Sequence, residues 1–501
     1  MRPHPYRGDY INGRFSKVKP AEATGELSSH NPAQISDQVY TGPFAVSRVD
    51  KAVEAAQRAQ RAWAELPFAK RAGYLKKIAA QLSNRKEDLA ALITRELGKP
   101  LWEARGEAAA CAAKVGITLE EGLALTREHR PEGVAGRYLF KPHGVLSVIG
   151  PFNFPAHLIN GHVIPALATG NTVVIKPSEV TPAVGQLYAE ILDEADLPKG
   201  VVNVVQGDGR VGAALSAHPG VDGVLFTGSY DVGRRIQAAT LDQPWKILAL
   251  EMGGKNPAIV LDDAPLEKAV HDVLWAAYVS AGQRCSATSW AIVHRKVVDA
   301  FTERLVAQAQ RVSIGDPTAP GTFMGPLATE AAREKYLAGA RAGEAEGAEA
   351  LLSPQAHPEL TQGYFVQPGI HRVRTIVEGS AYQTQELFGP DVAIYEVHDL
   401  DEAVAMANSL DYGLSASVFT QDPRRFEQAL GRLDFGCINH NAPTCGASSK
   451  LPFGGLKKSG NHRPAGLFSS LYCAAPVASL EGPSEVNLEA ISPGFGWGGE
   501  G

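Results

Sequence analysis

Short strand patterns alternate with amphipathic helix patterns along most of this chain, and the alternation limits the folds open to it. Apolar, β-branched runs at Gly144–Gly150 and Asn171–Lys176 predict buried strands. A helical pattern over Thr181–Asp196 separates the second run from a third, Val201–Val205. Units of this kind build parallel sheets with helices on both faces. The sequence therefore predicts α/β architecture around a doubly wound, Rossmann-type nucleotide-binding sheet.

The alternation continues on both sides of this region. A fourth strand pattern covers Val221–Phe226, and a second α/β block starts near Gly253 with strand patterns at Pro257–Leu261 and Trp290–Val293. The run Tyr412–Phe419 alternates like one further strand. Apolar residues at helical spacing predict two helices within Ser47–Leu82 and one each over Arg85–Leu97, Asp231–Thr240, Leu266–Ser280 and Val297–Arg311.

Composition excludes several classes of protein. The chain has 501 residues, enough for two or three domains. Its net charge of −6 gives no support for a nucleic-acid partner, which would require a basic face. No apolar run approaches the ~20 residues of a membrane span, and the first residues carry no secretory signal pattern. The five cysteines are widely spaced without a C-x-x-C pair, which fits a reducing cytoplasm better than a disulfide framework or a zinc site.

Two short runs could supply a nucleophile and a base. The run GQRC ends at Cys285, and a cysteine thiolate attacks carbonyl carbon readily. The run LEMGG contains Glu251, and a carboxylate near such a thiol can activate water to hydrolyse an acyl-enzyme. Each residue alone has an ordinary alternative, an inert buried cysteine or a solvated charge beside a turn. Gly253 and Gly254 would allow close backbone approach if the tertiary fold brings the two together.

Longer motifs accompany this pair. They are PFNFP (151–155), KPSE (176–179), FTGS (226–229), LEMGG (250–254), GQRC (282–285), ELFGP (386–390) and PFGG (452–455). In content and order they resemble the NAD(P)-dependent aldehyde dehydrogenase superfamily, and the resemblance runs from about residue 10 to about residue 480. It implies an α/β fold with a Rossmann-type cofactor domain, an α/β catalytic domain and a small β oligomerisation element.

The resemblance implies roles for three residues in aldehyde oxidation. The Cys285 thiolate would attack the aldehyde carbon, and the Asn153 side-chain amide would donate to the resulting oxyanion together with the Cys285 backbone N–H. After hydride transfer, Glu251 would activate water to hydrolyse the thioester. Phe152 stands where many relatives carry Trp, which keeps the aromatic bulk. Asn153 would otherwise be a turn residue before a proline-containing loop.

The resemblance also implies an NAD site. After the fourth strand the glycines follow G-x-x-x-x-G rather than G-x-G-x-x-G, and backbone N–H groups at such a helix start can bind a pyrophosphate. Glu179, beside the adenosine ribose with Lys176, would repel a 2′-phosphate and so favour NAD over NADP. Lys176 as a surface charge and Phe388 as a core residue are the alternatives. The implied cofactor residues are Lys176, Ser178, Glu179, Gly228, Ser229, Tyr230, Asp231, Val232, Gly233, Glu386 and Phe388.

Substrate contacts rest on local polarity. Within the superfamily, the stretch 153–171 and the segments 459–464 and 472–480 resemble enzymes for a semialdehyde that carries two carboxylates. Arg284, Ser448 and Ser449 are the candidates to hold those carboxylates, with a solvated loop as the alternative for the serines. Cys437 and Cys445 are expected to be structural. The histidines at 157, 162, 440 and 462 match no metal-ligand spacing, so we expect no metal and assign them to packing and loops.

The resemblance divides the chain into domains. Residues 1–126 and 143–252 would bind NAD, and residues 253–440 would form the catalytic domain. Residues 127–142 and 465–482 would form the oligomerisation element, whose strands cannot bury their own faces and so predict a homodimer or homotetramer. Residues 483–501 end in a glycine-rich stretch and are expected to be flexible.

Three alternative functions stay open at this point. The enzyme could oxidise a different semialdehyde, such as that of glutamate or succinate. It could be a purely reductive acyl reductase, which would have no use for a water-activating Glu251. It could also be a non-catalytic protein on the same scaffold, although such a chain would be expected to have lost Cys285, Glu251 or Asn153.

Overall fold

Two seven-stranded sheets organise residues 2–495, the part of the chain that a computed structural model describes. The strands are β1 (Asp9–Tyr10), β2 (Phe15–Ser16), β3 (Gly25–Asn31), β4 (Gln34–Phe44), β5 (Gly136–Pro142), β6 (Val145–Ile149), β7 (Thr172–Lys176), β8 (Val202–Val204), β9 (Gly223–Thr227), β10 (Ile247–Glu251), β11 (Asn256–Val260), β12 (Thr288–His294), β13 (Glu349–Leu352), β14 (Gly369–Val373), β15 (Asp391–Val397), β16 (Tyr412–Gly413), β17 (Ser415–Phe419), β18 (Cys437–His440), β19 (Pro452–Phe453), β20 (Leu456–Lys457), β21 (Ala465–Gly466) and β22 (Ala474–Leu480).

Helices cover both faces of the sheets. They are α1 (Arg48–Glu65), α2 (Phe68–Asn84), α3 (Lys86–Leu97), α4 (Leu101–Glu120), α5 (His157–Ala168), α6 (Pro182–Glu194), α7 (Gly209–Ala217), α8 (Tyr230–Ala239), α9 (Leu266–Tyr278), α10 (Val298–Ala309), α11 (Glu330–Ala345), α12 (Ala381–Thr384), α13 (Leu400–Asn408), α14 (Pro423–Leu430) and α15 (Ser469–Tyr472). Short 3-10 turns add Pro20–Glu22, Gly122–Thr126, Val279–Gly282 and Leu488–Ala490.

The first sheet has the strand order β10-β9-β6-β7-β8-β1-β2. Its first five strands run parallel, and β1 is antiparallel to β8. Every residue of β6, β7 and β9 is buried, as expected for strands covered by helices on both faces. The chain order reverses at β6, because β7 and β8 lie on one side of it and β9 and β10 on the other. Ligands bind at such a switch point, outside the carboxyl ends of the strands.

The second sheet has the order β13-β14-β15-β12-β11-β17-β18 and is parallel except for its edge strand β13. Its strands come from residues 349–440 together with β11 and β12. Helices α9 and α10 pack on one side, where Phe301, Tyr336 and Ile394 belong to one buried cluster. On the other side α13 joins a second cluster around Trp290 and Tyr395. The predicted α/β architecture is therefore confirmed.

A separate two-stranded ribbon pairs β5 with β22 over seven residues, from Gly136 opposite Leu480 to Pro142 opposite Ala474. Residues of both strands are largely half-buried or exposed, and Leu480 is 84% exposed. Segments far apart in sequence thus meet where the oligomerisation element was predicted. The domain boundaries themselves stay predictions.

Two parts of the chain differ from the sequence interpretation. The run Tyr412–Phe419 is two strands: β16 pairs with β20, whereas β17 lies within the second sheet with every residue buried. The run was predicted as one strand, and its alternating Ser415 and Ser417 are fully buried in the sheet interior. The hairpin of β3 and β4, whose pairing shifts register on both sides of His30, was not predicted.

No helix within residues 2–495 is long and apolar enough to cross a membrane. Of the predicted flexible tail, residues 483–495 hold one short 3-10 turn and are otherwise irregular. Residues 496–501, with most of the glycine-rich end, lie outside the described part of the chain.

Candidate active site

The carboxyl ends of four parallel strands bring the sequence motifs together. Asn153 follows β6, Glu179 follows β7, and Gly228 follows β9. Glu251 is the last residue of β10. Because parallel strands end at the same edge of a sheet, segments separated by about a hundred residues converge on the switch point.

A cavity of about 580 Å³ opens at this edge. Eight of the eleven predicted cofactor residues line it: Lys176, Ser178, Glu179, Gly228, Ser229, Val232, Glu386 and Phe388. Asn153 and Cys285 lie on its wall as well. Tyr230, Asp231 and Gly233 belong to the first turn of α8 instead, and Gly233 packs behind the wall against Met252. The same cavity is lined by Lys176, at the predicted adenosine end, and by Cys285, at the predicted reactive end.

The cradle at the start of α8 fits a pyrophosphate. Ser229 is the N-cap residue, and its hydroxyl accepts a hydrogen bond from the Val232 N–H at 3.4 Å. The remaining N–H groups of the first turn have no helical acceptor and carry the positive end of the helix dipole. At the adenosine end, Lys176 Nζ donates to Glu179 Oε2 at 2.5 Å, and the Glu179 side chain is half exposed toward solvent. These residues fit the ribose and phosphates of a dinucleotide.

Glu386 and Phe388 form the opposite end of the cavity. Glu386 accepts a hydrogen bond from the Gly254 N–H at 2.9 Å, and burial raises the pKa of its carboxyl to about 7. Phe388 has a positive φ of 58°, and its ring meets that of Phe152 edge-on with centroids 5.8 Å apart. A non-glycine residue is uncommon in this backbone conformation. Phe388 is half-buried and lines the cavity, so it is not a core residue.

The loop that presents Cys285 has an unusual backbone. Ser280, Ala281 and Gly282 are three consecutive residues with positive φ, at 57°, 53° and 71°. A Cβ on Gly254 would lie 2.3 Å from the Cys285 carbonyl oxygen, so only glycine lets the segment after Glu251 pass so close to the nucleophile loop. This contact agrees with the prediction that Gly253 and Gly254 allow the backbone near Glu251 to approach the Cys285 loop closely.

A second, smaller cavity of about 200 Å³ adjoins the first. Cys285, Thr227 and Met252 line both cavities, whereas Glu251 lines the smaller one. The half-buried Cys285 thiol therefore lies where the two cavities meet. An aldehyde in the smaller cavity and a cofactor in the larger one would approach the same sulfur atom from different sides.

The Glu251 carboxyl is buried and only partly satisfied. Its Oε2 atom has no hydrogen-bond partner within residues 2–495. Burial raises the pKa of this carboxyl well above its usual range, and a backbone N–H at Ala465 opposes the shift. A buried oxygen without a protein donor is suited to accept a proton from a water molecule in the cavity.

Burial also raises the pKa of the Cys285 thiol, and the nearby Glu386 and Glu251 carboxyls act in the same direction. The Arg284 guanidinium opposes the shift. The raised pKa favours the neutral thiol over the thiolate. Nucleophilic attack requires its proton to leave, and the adjoining carboxyls are the groups that could receive it.

Asn153 is held on two sides. Its side-chain amide donates to the Gln283 carbonyl at 2.9 Å, and its own carbonyl accepts from Lys99 Nζ at 2.8 Å. An amide group has two N–H donors, so one remains for an oxyanion beside Cys285. The contact with Gln283 also couples the Asn153 loop directly to the nucleophile loop.

A buried ionic network behind Asn153 was missed in the sequence interpretation. Lys99 Nζ lies 2.7 Å from Glu107 Oε2, and the two side chains are 1% and 0% exposed. Glu107 Oε1 accepts from the N–H groups of Ala156 and His157, at the start of α5. The sequence does carry a signal for this network, namely two acidic residues four positions apart, at 103 and 107, on the buried face of α4. A charge buried there needs a partner.

Replacing Lys99 by methionine should destabilise the protein and slow turnover. The change leaves the Glu107 carboxylate buried without its cation, which costs about 3–5 kcal/mol, and removes the donor that holds the Asn153 carbonyl. Denaturant unfolding and kcat measure the two effects. The double variant Lys99→Met, Glu107→Leu should recover much of the stability but not the rate. Unchanged kcat in both variants would show that the network does not position Asn153.

The three predicted substrate residues all line the smaller cavity, but they differ in burial and in hydrogen bonding. Ser448 is exposed and Ser449 half-buried, near its outer side. Arg284 is largely buried, and its guanidinium donates to Glu103 Oε1 at 2.8 Å and to Ser280 Oγ at 2.9 Å. The charge of Arg284 is therefore already balanced by a protein carboxylate.

Two of the histidines assigned to packing also line the smaller cavity. His162 bonds through both ring nitrogens, to the Tyr472 and Thr227 hydroxyls. His157 has a buried Nδ1 atom with no partner among the described residues. Cys445 is buried beside Ser286, in keeping with a structural role. No group of three potential metal-binding side chains occurs in the part of the chain that the structure describes.

The doubly wound sheet, the dinucleotide-sized cavity and a cysteine shared with a second cavity define a class of enzyme: dehydrogenases that act through a covalent thiol adduct. Comparison with known proteins agrees with this class. The model of the "Aldehyde dehydrogenase family" matches residues 19–473, and the chain belongs to this family.

Curated relatives and solved structures cover nearly the whole chain. An N-succinylglutamate 5-semialdehyde dehydrogenase from Escherichia coli (strain K12) is 39% identical, with 98% of each chain covered. An enzyme of the same name from Klebsiella pneumoniae is 40% identical, over 97% of this chain and 98% of its own. The crystal structure of a Pseudomonas syringae aldehyde dehydrogenase C mutant with NAD+ and octanal has a TM-score of 0.90, at 32% identity and coverage of 97% and 99%.

Proposed function

We propose that this enzyme oxidises N-succinyl-L-glutamate 5-semialdehyde to N-succinyl-L-glutamate with NAD, a step in arginine degradation by the succinyltransferase route. The observation that carries the chemistry is the position of Cys285, on the walls of both cavities. The substrate is supported by full-length similarity to enzymes named for it. Oxidation of glutamate or succinate semialdehyde is the second candidate.

Cys285 is the proposed nucleophile. Its thiolate adds to the aldehyde carbon and forms a thiohemiacetal, whose oxygen carries the negative charge of the former carbonyl. The free N–H of the Asn153 amide and the Cys285 backbone N–H stabilise that charge. The hydrogen bond from Asn153 to the Gln283 carbonyl holds the amide against the nucleophile loop before substrate arrives. No donor then has to reorganise during the reaction.

The larger cavity is the proposed NAD site. NAD bound there would supply the hydride acceptor for the oxidation. Loss of a hydride from the carbon of the adduct would leave a thioester on Cys285. Lys176 and Glu179 would hold the adenosine ribose, the first turn of α8 the pyrophosphate, and Glu386 the nicotinamide ribose. The assignment is supported by the lining of the larger cavity, which includes Lys176, Glu179, Ser229, Val232 and Glu386.

Glu251 is the proposed base for the second half of the reaction. Its unpartnered Oε2 accepts a proton from water, which attacks the thioester carbon and releases the acid. Cys285 leaves as thiolate, and the product carboxyl loses its proton to solvent. A second carboxyl, Glu386, lines the larger cavity, whereas Glu251 lines the smaller one. The two acids are therefore on different cavities that share Cys285.

Replacing Glu179 by glutamine should shift cofactor preference toward NADP. The half-exposed carboxylate is proposed to repel a 2′-phosphate, and its removal should raise kcat/KM for NADP relative to NAD by about tenfold, or ~1.4 kcal/mol. Initial rates with both cofactors give the ratio. Glu427→Gln, an exposed change on α14, is the matched control and should leave the ratio unaltered. An unaltered ratio in Glu179→Gln would remove this residue from cofactor selection.

A substrate panel tests the proposed function. NADH formation is measured with N-succinylglutamate semialdehyde, glutamate semialdehyde, succinate semialdehyde and neutral straight-chain aldehydes. An advantage of roughly 100-fold in kcat/KM for the succinylated substrate, ~3 kcal/mol of transition-state binding, supports the assignment. A comparable advantage for one of the smaller semialdehydes would transfer the function to that substrate.

We also propose that the ribbon of β5 and β22 joins chains into a dimer or tetramer in the cytoplasm. Its strands leave Tyr138 and Leu480 exposed, and two strands alone cannot bury such side chains. Light scattering of the purified protein gives the mass that decides between these states and a monomer.

A further inference from the structure

The lysine at position 114 has an unusual environment. It lies on α4, the residue is 3% exposed, and it forms part of the wall of the smaller cavity. Its ammonium donates to one protein atom, the Gly466 carbonyl oxygen, at 2.6 Å. Within residues 2–495 no carboxylate forms an ion pair with it. Burial lowers the pKa of this ammonium to about 8, which reflects the cost of keeping the charge there.

Neighbouring cations on the same side of the site are paired. Lys99 has Glu107 at 2.7 Å, and Arg284 has Glu103 at 2.8 Å. A buried charge without a partner is costly, and proteins normally provide a counter-ion for it. Lys114 is thus the cation of this cavity for which the described part of the chain supplies no counter-ion.

His157 adds a second unsatisfied group. Its Nδ1 atom is buried without a hydrogen-bond partner among the described residues, and it lines the same cavity. Burial lowers the pKa of its imidazole, so the ring is neutral and Nδ1 can carry a hydrogen as a donor. A cation and a neutral donor facing one cavity match the two oxygens of a carboxylate.

We propose that Lys114, assisted by His157, is the specificity-determining anchor for a carboxylate of the aldehyde substrate. On the basis of the proposed function, the substrate class is aldehydes with an anionic group that reaches Lys114 in the smaller cavity. Arg284 is not the anchor, because Glu103 already balances its charge. Ser448 and Ser449, on the outer side of the same cavity, are in position for the second carboxylate of a dianionic substrate.

The test compares Lys114→Met with Lys114→Arg and with Lys246→Met. Methionine keeps the length of the apolar stem and removes the charge. Lys246 is a matched control, because it is also a buried lysine that donates to backbone carbonyls, of Ser216 and His218, and it lines neither cavity. For each variant, kcat and KM are measured with N-succinylglutamate semialdehyde and with hexanal.

The expected result is selective. Lys114→Met should lose roughly 30-fold or more in kcat/KM for the succinylated substrate, mostly through KM, and should lose little with hexanal. Lys114→Arg should recover part of the loss, and Lys246→Met should leave the ratio of the two substrates unchanged. Without ligand, Lys114→Met should melt at the same or a higher temperature, because an uncompensated buried charge is gone.

Two results would overturn the inference. Equal losses for both substrates in a folded Lys114→Met would assign Lys114 a structural role, and an unchanged kcat/KM would exclude it from binding. Failure of the proposed function would look different from failure of the Lys114 proposal, because the parent enzyme itself would then show no preference for the succinylated substrate.

Discussion

Replacing Cys285 by alanine should lower aldehyde oxidation by about 10⁴-fold or more. The thiol lines both cavities, and the other cysteines lie away from the larger one, so no second nucleophile can take its place. Cofactor binding should persist, because the groove from Lys176 to Glu386 is untouched. Steady-state NADH formation and a fluorescence titration with NAD measure the two properties separately.

The matched control for this variant is Cys437→Ala. Cys437 is half-buried on β18 and lines neither cavity, so its loss should leave turnover near the parent value. Persistent oxidation by Cys285→Ala at a rate comparable with the parent would refute the covalent mechanism. Loss of NAD binding together with activity would instead indicate a folding defect.

Replacing Glu251 by glutamine should stop the reaction after its first half. Glutamine keeps the size of the side chain but cannot accept the proton of water, so hydrolysis of the thioester should slow by about 10²–10⁴-fold. Rapid mixing should then show a burst of NADH close to one equivalent per site, followed by slow turnover. Mass spectrometry of the intact chain should find the acyl group on Cys285.

The pH dependence of the same step has a definite sign. Burial raises the pKa of Glu251, and the carboxyl acts as a base only when ionised. Hydrolysis should therefore accelerate as pH rises through that raised pKa and fade in acid, with an inflection above that of an ordinary glutamate. The Glu251→Gln variant should lack this inflection. An acidic limb at the pKa of an exposed carboxyl would contradict the role of this buried group.

Much of the site could be predicted from the sequence because it sits at the ends of strands. Runs such as Val145–Ile149 and Thr172–Lys176 identify themselves by buried, β-branched residues, and the chemistry follows at their carboxyl ends. The first turn of α8 shows the limit of this reasoning. Neighbours in one motif point in different directions, so Ser229 and Val232 reach the cavity while Gly233 packs behind it.

Pairing of charges could not be predicted in the same way. Arg284 resembles a free cation beside the nucleophile, and only the fold brings Glu103 to it from α4. The same helix supplies Glu107 to Lys99 but no acid to Lys114. Sequence spacing places these residues on one helix, without stating what stands opposite each of them.

The sequence by itself predicted the alternation of strands and helices, the family, and the candidate nucleophile, base and oxyanion donor. These follow from local patterns and from short motifs whose residues are contiguous. The tertiary structure decided that Cys285 lines two cavities and that Glu103 pairs with Arg284. It also decided that no carboxylate among residues 2–495 pairs with Lys114. Burial and ion pairing depend on which distant segments the two sheets bring into contact, and no local pattern carries that information.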